Sequence, residues 1–158
     1  MKKKIVIFIS GKGTNALNII NQFRDSEEIS VTKVYSNNKN SPFFKIQNDL
    51  KIDTSYFNNE QLSLSVFEEL KIIDPDLIVL AGFLKKIPHV YIEYFKNKII
   101  NIHPSILPSY GGKGMYGPKI HNKVIENNEI ETGITIHYVS DQYDSGEIIF
   151  QKKISIQE

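Results

Sequence analysis

The sequence contains no cysteine. That excludes a disulfide framework, thiolate-built zinc, thiol nucleophiles and thiol redox sensing, and it fits a reducing compartment. Nor is there an excess of charge. Nineteen basic residues face eighteen acidic ones, for a net charge of +1, so no global field draws the chain onto nucleic acid or an anionic membrane. The local exception, Lys2-Lys3-Lys4, reads as a solvated lead-in to a buried strand, with charges kept wet and stems laid on apolar surface. Long apolar runs are missing too: Ile5 to Ile9 is too short for a signal-peptide core, and Leu77 to Leu84 too short to span a bilayer. Internal repeats, linkers and low-complexity tracts are absent. The expectation is a soluble, cytoplasmic protein of one domain, residues 1–158, able to bury about two-thirds of its unfolded surface without staples.

What is present is an alternation of short apolar runs with segments of helical period. Buried parallel strands joined by crossover helices have that texture, so the expected fold class is α/β, a doubly wound and mostly parallel sheet. Lys4 to Ser10 reads as the central first strand and Thr14 to Phe23 as a helix turning Leu17, Ile20 and Phe23 to the sheet. Ser30 to Tyr35 is the second strand. Ser41-Pro42 opens a short helix through Leu50, because a polar cap followed by Pro is a start signal. Asp53 to Tyr56 reads as a brief strand. Asn59 to Ile73 reads as one helix, stopped by Asp74-Pro75 ahead of the strand Leu77 to Leu80. A small helix near Pro88 to Phe95 precedes the strand Lys98 to Ile102. Four glycines in Tyr110 to Gly117 make a loop over a ligand. A helix over Ile120 to Asn127 follows, then strands Thr135 to Val139 and Ile148 to Ile154, the second a candidate antiparallel strand.

Two places carry chemistry. At the end of the first strand, Ile9-Ser10-Gly11-Lys12-Gly13-Thr14-Asn15 opens a helix, where free N–H groups and the helix dipole favour an anion. A phosphate suits that turn: Thr14 can donate a hydroxyl and Asn15 can cap or bind. A strand-to-helix turn with no ligand uses the same residues. The third glycine of the dinucleotide fingerprint is missing, as is the Lys-Ser/Thr pair of a P-loop.

The second place combines Asn101 and His103 in Asn101-Ile102-His103-Pro104-Ser105-Ile106-Leu107-Pro108 with Asp144 in Ser140 to Gly146. Acyl transfer to an amine builds negative charge on a carbonyl oxygen, so its catalyst needs fixed donors there. Asn101 supplies a neutral N–H. His103, two residues along, shares its side and can donate to the oxyanion or relay protons. Asp144 beside the imidazole favours its protonated form and can take a proton from the amine through water. Pro104 and Pro108 stiffen the turn. His121, at a helix start, and His137, alternating within a strand, lack the paired acid or thiolate spacing of a metal site, so no metal is expected.

Four segments, ISGKGTN, VLAGFLKKI, NIHPSILPSY and TGITIHYVSDQYDSGEII, together resemble the glycinamide ribonucleotide formyltransferases, folate-dependent enzymes of purine biosynthesis. They run in the family's order from Lys4 to about Gln151. The resemblance implies a Rossmann-like formyltransferase fold and two small-molecule substrates, glycinamide ribonucleotide and 10-formyltetrahydrofolate, with no nucleic acid, membrane or metal. It implies that Gly13, Thr14 and Asn15 bind the ribonucleotide phosphate. Leu84, Lys85, Lys86 and Ile87, with Asn101, would line the folate pocket, and Asn101, His103 and Asp144 would be catalytic. Three departures stand out: Lys85 where many relatives carry Arg, GGKGMYG in place of a shorter stretch, and a stop at Glu158 where the family continues for several dozen residues. A fragment or reduced form is therefore expected. The competing readings are a non-catalytic folate- or nucleotide-binding relative, and a 10-formyltetrahydrofolate hydrolase or a formyltransferase for sugar nucleotides or initiator tRNA.

Overall fold

The apolar runs stack side by side in one seven-stranded sheet. The computed structural model describes residues 1–156, the side chains of Gln47 and Asn48 excepted; the last two residues of the expected 1–158 domain lie outside the described residues. Strands β1 (Lys3–Ile9), β2 (Ile29–Ser36), β3 (Asp53–Tyr56), β4 (Leu77–Leu80), β5 (Ile99–His103), β6 (Glu131–Tyr138) and β7 (Ile148–Ser155) lie in the order 3-2-1-4-5-6-7. β1 to β5 pair in parallel, while β5–β6 and β6–β7 are antiparallel. The strand order reverses between β1 and β4, and open α/β sheets bind ligands at the carboxyl ends beside such a reversal.

Helices cover both faces. Helix α1 (Thr14–Phe23) buries Ala16 and Ile20 against Ile5, Ile7, Ile9, Val34 and Val79. On the other face Val6, Phe8, Ile78, Leu80 and Ile99 meet Leu62, Val66, Leu70, Tyr91 and Phe95. Phe8 stacks on Tyr35, ring centroids 5.1 Å apart, and meets Phe83 edge-on at 5.4 Å, which fixes Phe83 under the loop that follows β4.

The expected elements are all present, with shifted bounds. Pro42–Lys45 is a 3-10 turn, capped by Ser41, and α2 (Gln47–Leu50) follows it. The single helix expected over Asn59 to Ile73 is two, α3 (Asn59–Ser63) and α4 (Ser65–Ile73), broken at Leu64 with φ −122° and ψ −85°. A reciprocal capping box between Asn58 and Gln61 starts α3, so the break sits after one turn rather than at a terminus. Helix α5 (His89–Tyr94) buries Tyr91, and α6 (Pro118–Glu126) starts two residues earlier than expected, with Pro at its first position. β6 begins at Glu131 rather than Thr135: Glu131, Thr132 and Gly133 pair with Ser155, Ile154 and Lys153, so tertiary pairing extends the strand through a glycine of low strand propensity. At the β7 edge Ile149, Phe150 and Ile154 are exposed beside Lys152 and Lys153. Among the described residues no helix is long and apolar enough to cross a membrane.

Candidate active site

β5 delivers Ile99, Asn101 and His103 to one face by its two-residue period. Ile99 and His103 are buried and Asn101 half-buried. The antiparallel register sets Asn101 opposite His137 and His103 opposite Thr135. Thr135 then holds the turn after β5: its hydroxyl donates to the Ser105 carbonyl at 2.7 Å and accepts from the Leu107 N–H at 3.1 Å. Gln151 of β7 donates to the Leu107 carbonyl at 2.9 Å. The turn so fixed points the Tyr110 carbonyl at His103 Nε2, 2.9 Å away.

Asp144 arrives from the β6–β7 loop in the left-handed region, φ +53°, a conformation Asp tolerates better than most residues. The loop closes at Gly146, where any Cβ would run into the Tyr138 carbonyl. Asp144 Oδ1 lies 3.2 Å from Asn101 Nδ2, 3.4 Å from His103 Nδ1 and 3.6 Å from His137 Nε2. Its Oδ2 accepts from the Gly112 N–H at 3.0 Å. Burial alone would raise the Asp144 carboxyl, but the flanking imidazoles, His103 first and then His137, and the Gly112 N–H reverse that and hold it well below the usual carboxylate range.

The partners fix the hydrogens. A carbonyl only accepts, so His103 Nε2 donates to Tyr110, and His137 Nδ1 donates to the Tyr138 carbonyl at 2.8 Å. A neutral His137 thus presents Nε2 as an acceptor, 3.1 Å from Asn101 Nδ2. The two carboxamide hydrogens of Asn101 go to Asp144 and His137. His103 has an acceptor at each ring nitrogen, an arrangement suited to carrying hydrogen on both.

Asn101 and Asp144 stand between two cavities. The larger, about 790 Å³, runs from Asn15, Asn18 and Ile19 of α1 past His103 to the glycine-rich segment Gly112 to Gly117. Its floor is apolar, with Ile102, Ile134 and Ile136 from β5 and β6. The smaller, about 60 Å³, lies between Phe83, Lys85, Lys86 and Ile87 on one side and Val139, Ser140, Gln142 and Tyr143 on the other. Of the residues expected at the phosphate, Asn15 lines the larger cavity, Thr14 is exposed at the helix start, and Gly13 is buried beneath Phe43 with φ +75°. Of those expected at the folate, Lys85, Lys86 and Ile87 line the smaller cavity and Leu84 the larger one. The loops are tied together, since Ser10 Oγ accepts from the Leu84 N–H at 2.9 Å. His121 is exposed on α6, and among the described residues no group of three or more His, Cys, Asp or Glu could hold a metal ion.

The family model described as formyl transferase matches residues 3–158. The chain belongs to the formyl transferase family. It is 34% identical to the chloroplastic phosphoribosylglycinamide formyltransferase of Arabidopsis thaliana, over 98% of this chain and 56% of that protein. With the phosphoribosylglycinamide formyltransferase of Haemophilus influenzae it shares 32% identity, over 98% of this chain and 74% of the relative. A solved phosphoribosylglycinamide formyltransferase from Coxiella burnetii superposes with a TM-score of 0.86 at 32% identity, covering 99% of this chain and 74% of that one. The chain thus spans little more than half the length of its plant relative.

Three contributors to this site carry no signature in the sequence that marks them out as such. By sequence His137 is a candidate only for metal ligation, which its spacing does not support, yet it contacts both Asn101 and Asp144; its alternation within a strand is the one available signal. The Tyr110 carbonyl and Gly112 N–H act through the backbone, and no side-chain pattern announces them.

Proposed function

We propose that this chain transfers the formyl group of 10-formyltetrahydrofolate to the amine of glycinamide ribonucleotide, in de novo purine biosynthesis leading to IMP. The observation that carries the reading is the convergence of Asn101, His103 and His137 on one oxygen of Asp144, between two cavities, in a chain whose relatives are named for that reaction. We assign the ribonucleotide phosphate to Gly13, Thr14 and Asn15. Helix α1 has no side-chain cap and no acidic residue in its first turn, so its N–H groups are left for an anion. We assign the formyl donor to Leu84, Lys85, Lys86 and Ile87 with Asn101. Apolar Phe83, Ile87 and Val139 beside exposed lysines suit a flat ring system carrying an anionic tail.

In the reaction the amine nitrogen bonds to the formyl carbon, whose oxygen takes up the carbonyl electron pair. Collapse breaks the bond from that carbon to the donor nitrogen. One proton leaves the amine and one reaches the departing nitrogen. His103 stabilises the oxyanion through its Nδ1–H, whose 3.4 Å contact with Asp144 is long enough to be shared, and supplies the second proton from that same nitrogen while Nε2–H stays on the Tyr110 carbonyl. Asp144 is a weak base, being held so low; it faces His103 Nδ1 and passes the amine's proton back across their 3.4 Å contact. Asn101 meets the oxyanion with the hydrogen now facing His137, because a bond to a neutral acceptor is given up more cheaply than the charge-assisted one to Asp144.

Formylation kinetics with wild type and His103→Ala, alongside direct binding of the formyl donor, test the reading. Turnover in the wild type and a loss of about a thousandfold in kcat with donor binding kept are expected. Donor binding without any His103-dependent rate would instead make the chain a binding module.

A further inference from the structure

One contact outside the residues assigned above ties the Asp144 loop to the opposite wall of the smaller cavity. His89 opens α5, two residues beyond Ile87, and its Nδ1 lies 2.8 Å from Asp141 Oδ1. Asp141 stands three residues before Asp144, in a turn that Ser140 braces: its hydroxyl donates to the Gln142 carbonyl at 3.1 Å and meets Ser145 Oγ at 2.9 Å. The cavity is walled by Lys85, Lys86 and Ile87 on the α5 side, and by Ser140, Gln142 and Tyr143 on the loop side. The His89–Asp141 pair therefore spans the two walls from flanking positions.

We infer that His89 is a positioning residue for the formyl donor: through Asp141 it holds the loop of Ser140 to Asp144 against the α5 wall and so sets the width of the donor cavity. The inference rests on the donor assignment made above. Asp141 is fixed from both sides, by His89 and by the turn that ends in the buried Asp144 network, so releasing His89 frees the cavity side of the loop while Asp144 stays anchored. The pair is a poor stabiliser of the whole fold, because both side chains are more than half exposed, 61% and 54%, and water screens such pairs. Its effect is local, on a turn where the side-chain hydrogen bonds of Ser140 and Ser145 are exposed.

Charge supports the same geometry. The hydrogen bond to Asp141, then the charges of Asp141 and Glu93, raise the His89 imidazole above its ordinary value. Those two carboxylates are the charged groups facing it, Glu93 Oε1 lying 3.3 Å from Nε2 one turn along the same helix. The positive form, and the tether with it, is present below that raised value and weakens as pH rises through it. Glu93 belongs to His89's own helix and cannot hold the loop, so it serves as the control.

The test uses the full chain with His89→Ala, Asp141→Asn, the double variant, His89→Lys and Glu93→Gln. Each of the first two is expected to raise the KM for the formyl donor about two- to fivefold, the range of an exposed ion pair, with the double variant no worse than either. Amide exchange in residues 140–146 should quicken by a similar factor, while the KM for the amine stays unchanged. His89→Lys restores both readouts and makes the donor KM flat from about pH 6 to about pH 9, where the wild type climbs. Unchanged loop exchange and donor KM in His89→Ala overturn the inference, as does an equal effect of Glu93→Gln. Should the wild type prove unable to formylate, the functional reading falls, and loop exchange in the same variants still decides whether His89 tethers the loop.

Discussion

Asp144→Asn keeps the shape of the side chain and removes its charge, and the geometry leaves the amide no comfortable orientation. With its NH2 in the place of Oδ1, it faces the donors of Asn101 at 3.2 Å and His103 at 3.4 Å. With its NH2 in the place of Oδ2, it faces the Gly112 N–H at 3.0 Å. Donor meets donor either way, an unsatisfied buried group worth about 1–3 kcal/mol. The carboxylate that faces His103 Nδ1 is lost as well, and proton transfer of this kind contributes about 10²- to 10⁴-fold. Together these predict a fall in kcat of about a thousandfold or more, with both KM values within about threefold, since Asp144 acts through its neighbours rather than by binding. Quantifying formylated product by mass spectrometry under saturating and limiting substrate separates the two parameters. Acid titration adds a second readout. The folded carboxyl lies below its ordinary value, so its stabilisation is complete above about pH 4 and is lost as pH falls through the folded value. The wild-type denaturation midpoint should therefore drop more steeply below about pH 4 than that of Asp144→Asn. A variant with kcat within about fivefold of wild type, native circular dichroism and the wild-type acid profile would refute the reasoning.

Other substitutions probe separate parts of the site. Asn15→Ala should raise the KM for the phosphorylated amine about tenfold, one charged hydrogen bond, and leave the donor KM alone; steady-state kinetics with each substrate varied checks it. His137→Phe removes the acceptor that orients Asn101, predicting a loss of about tenfold in kcat with little change in either KM. Gly146→Ala drives a methyl into the Tyr138 carbonyl, predicting about 1–3 kcal/mol of destabilisation in thermal or denaturant unfolding, and a displaced Asp144 that lowers kcat as well.

The sheet was legible because its strands are buried on both faces and so appear as uninterrupted apolar runs, Ile5 to Ile9 above all. The extent of β6 was not, since Glu131-Thr132-Gly133 joins the sheet only through β7, far along the chain. The break at Leu64 was hidden by apolar spacing that continues across it. Asn101, His103 and Asp144 were recognisable as matched chemical types at a strand end and a turn. His137 was not, because its role arises from which residue lies opposite it, and single-chain spacing does not encode cross-strand register. The loop proposed for the phosphate was only half legible: Asn15 reaches the cavity, while Gly13 answers first to the packing of Phe43.

The pairing of Asn101 with His137 is a matter of register, and it divides the chain into segments that tolerate changes of length and segments that do not. Residues added between Lys113 and Gly117, beyond the Gly112 N–H that holds Asp144, can be taken up by the loop. One residue added within β6, between Thr135 and His137, rotates His137 to the opposite face of the sheet and threads the chain one pleat further before Asp144, while the ladder can still form. Such an insertion would leave a protein that folds and is silent, so that indel tolerance along this chain should map its chemistry more sharply than its stability.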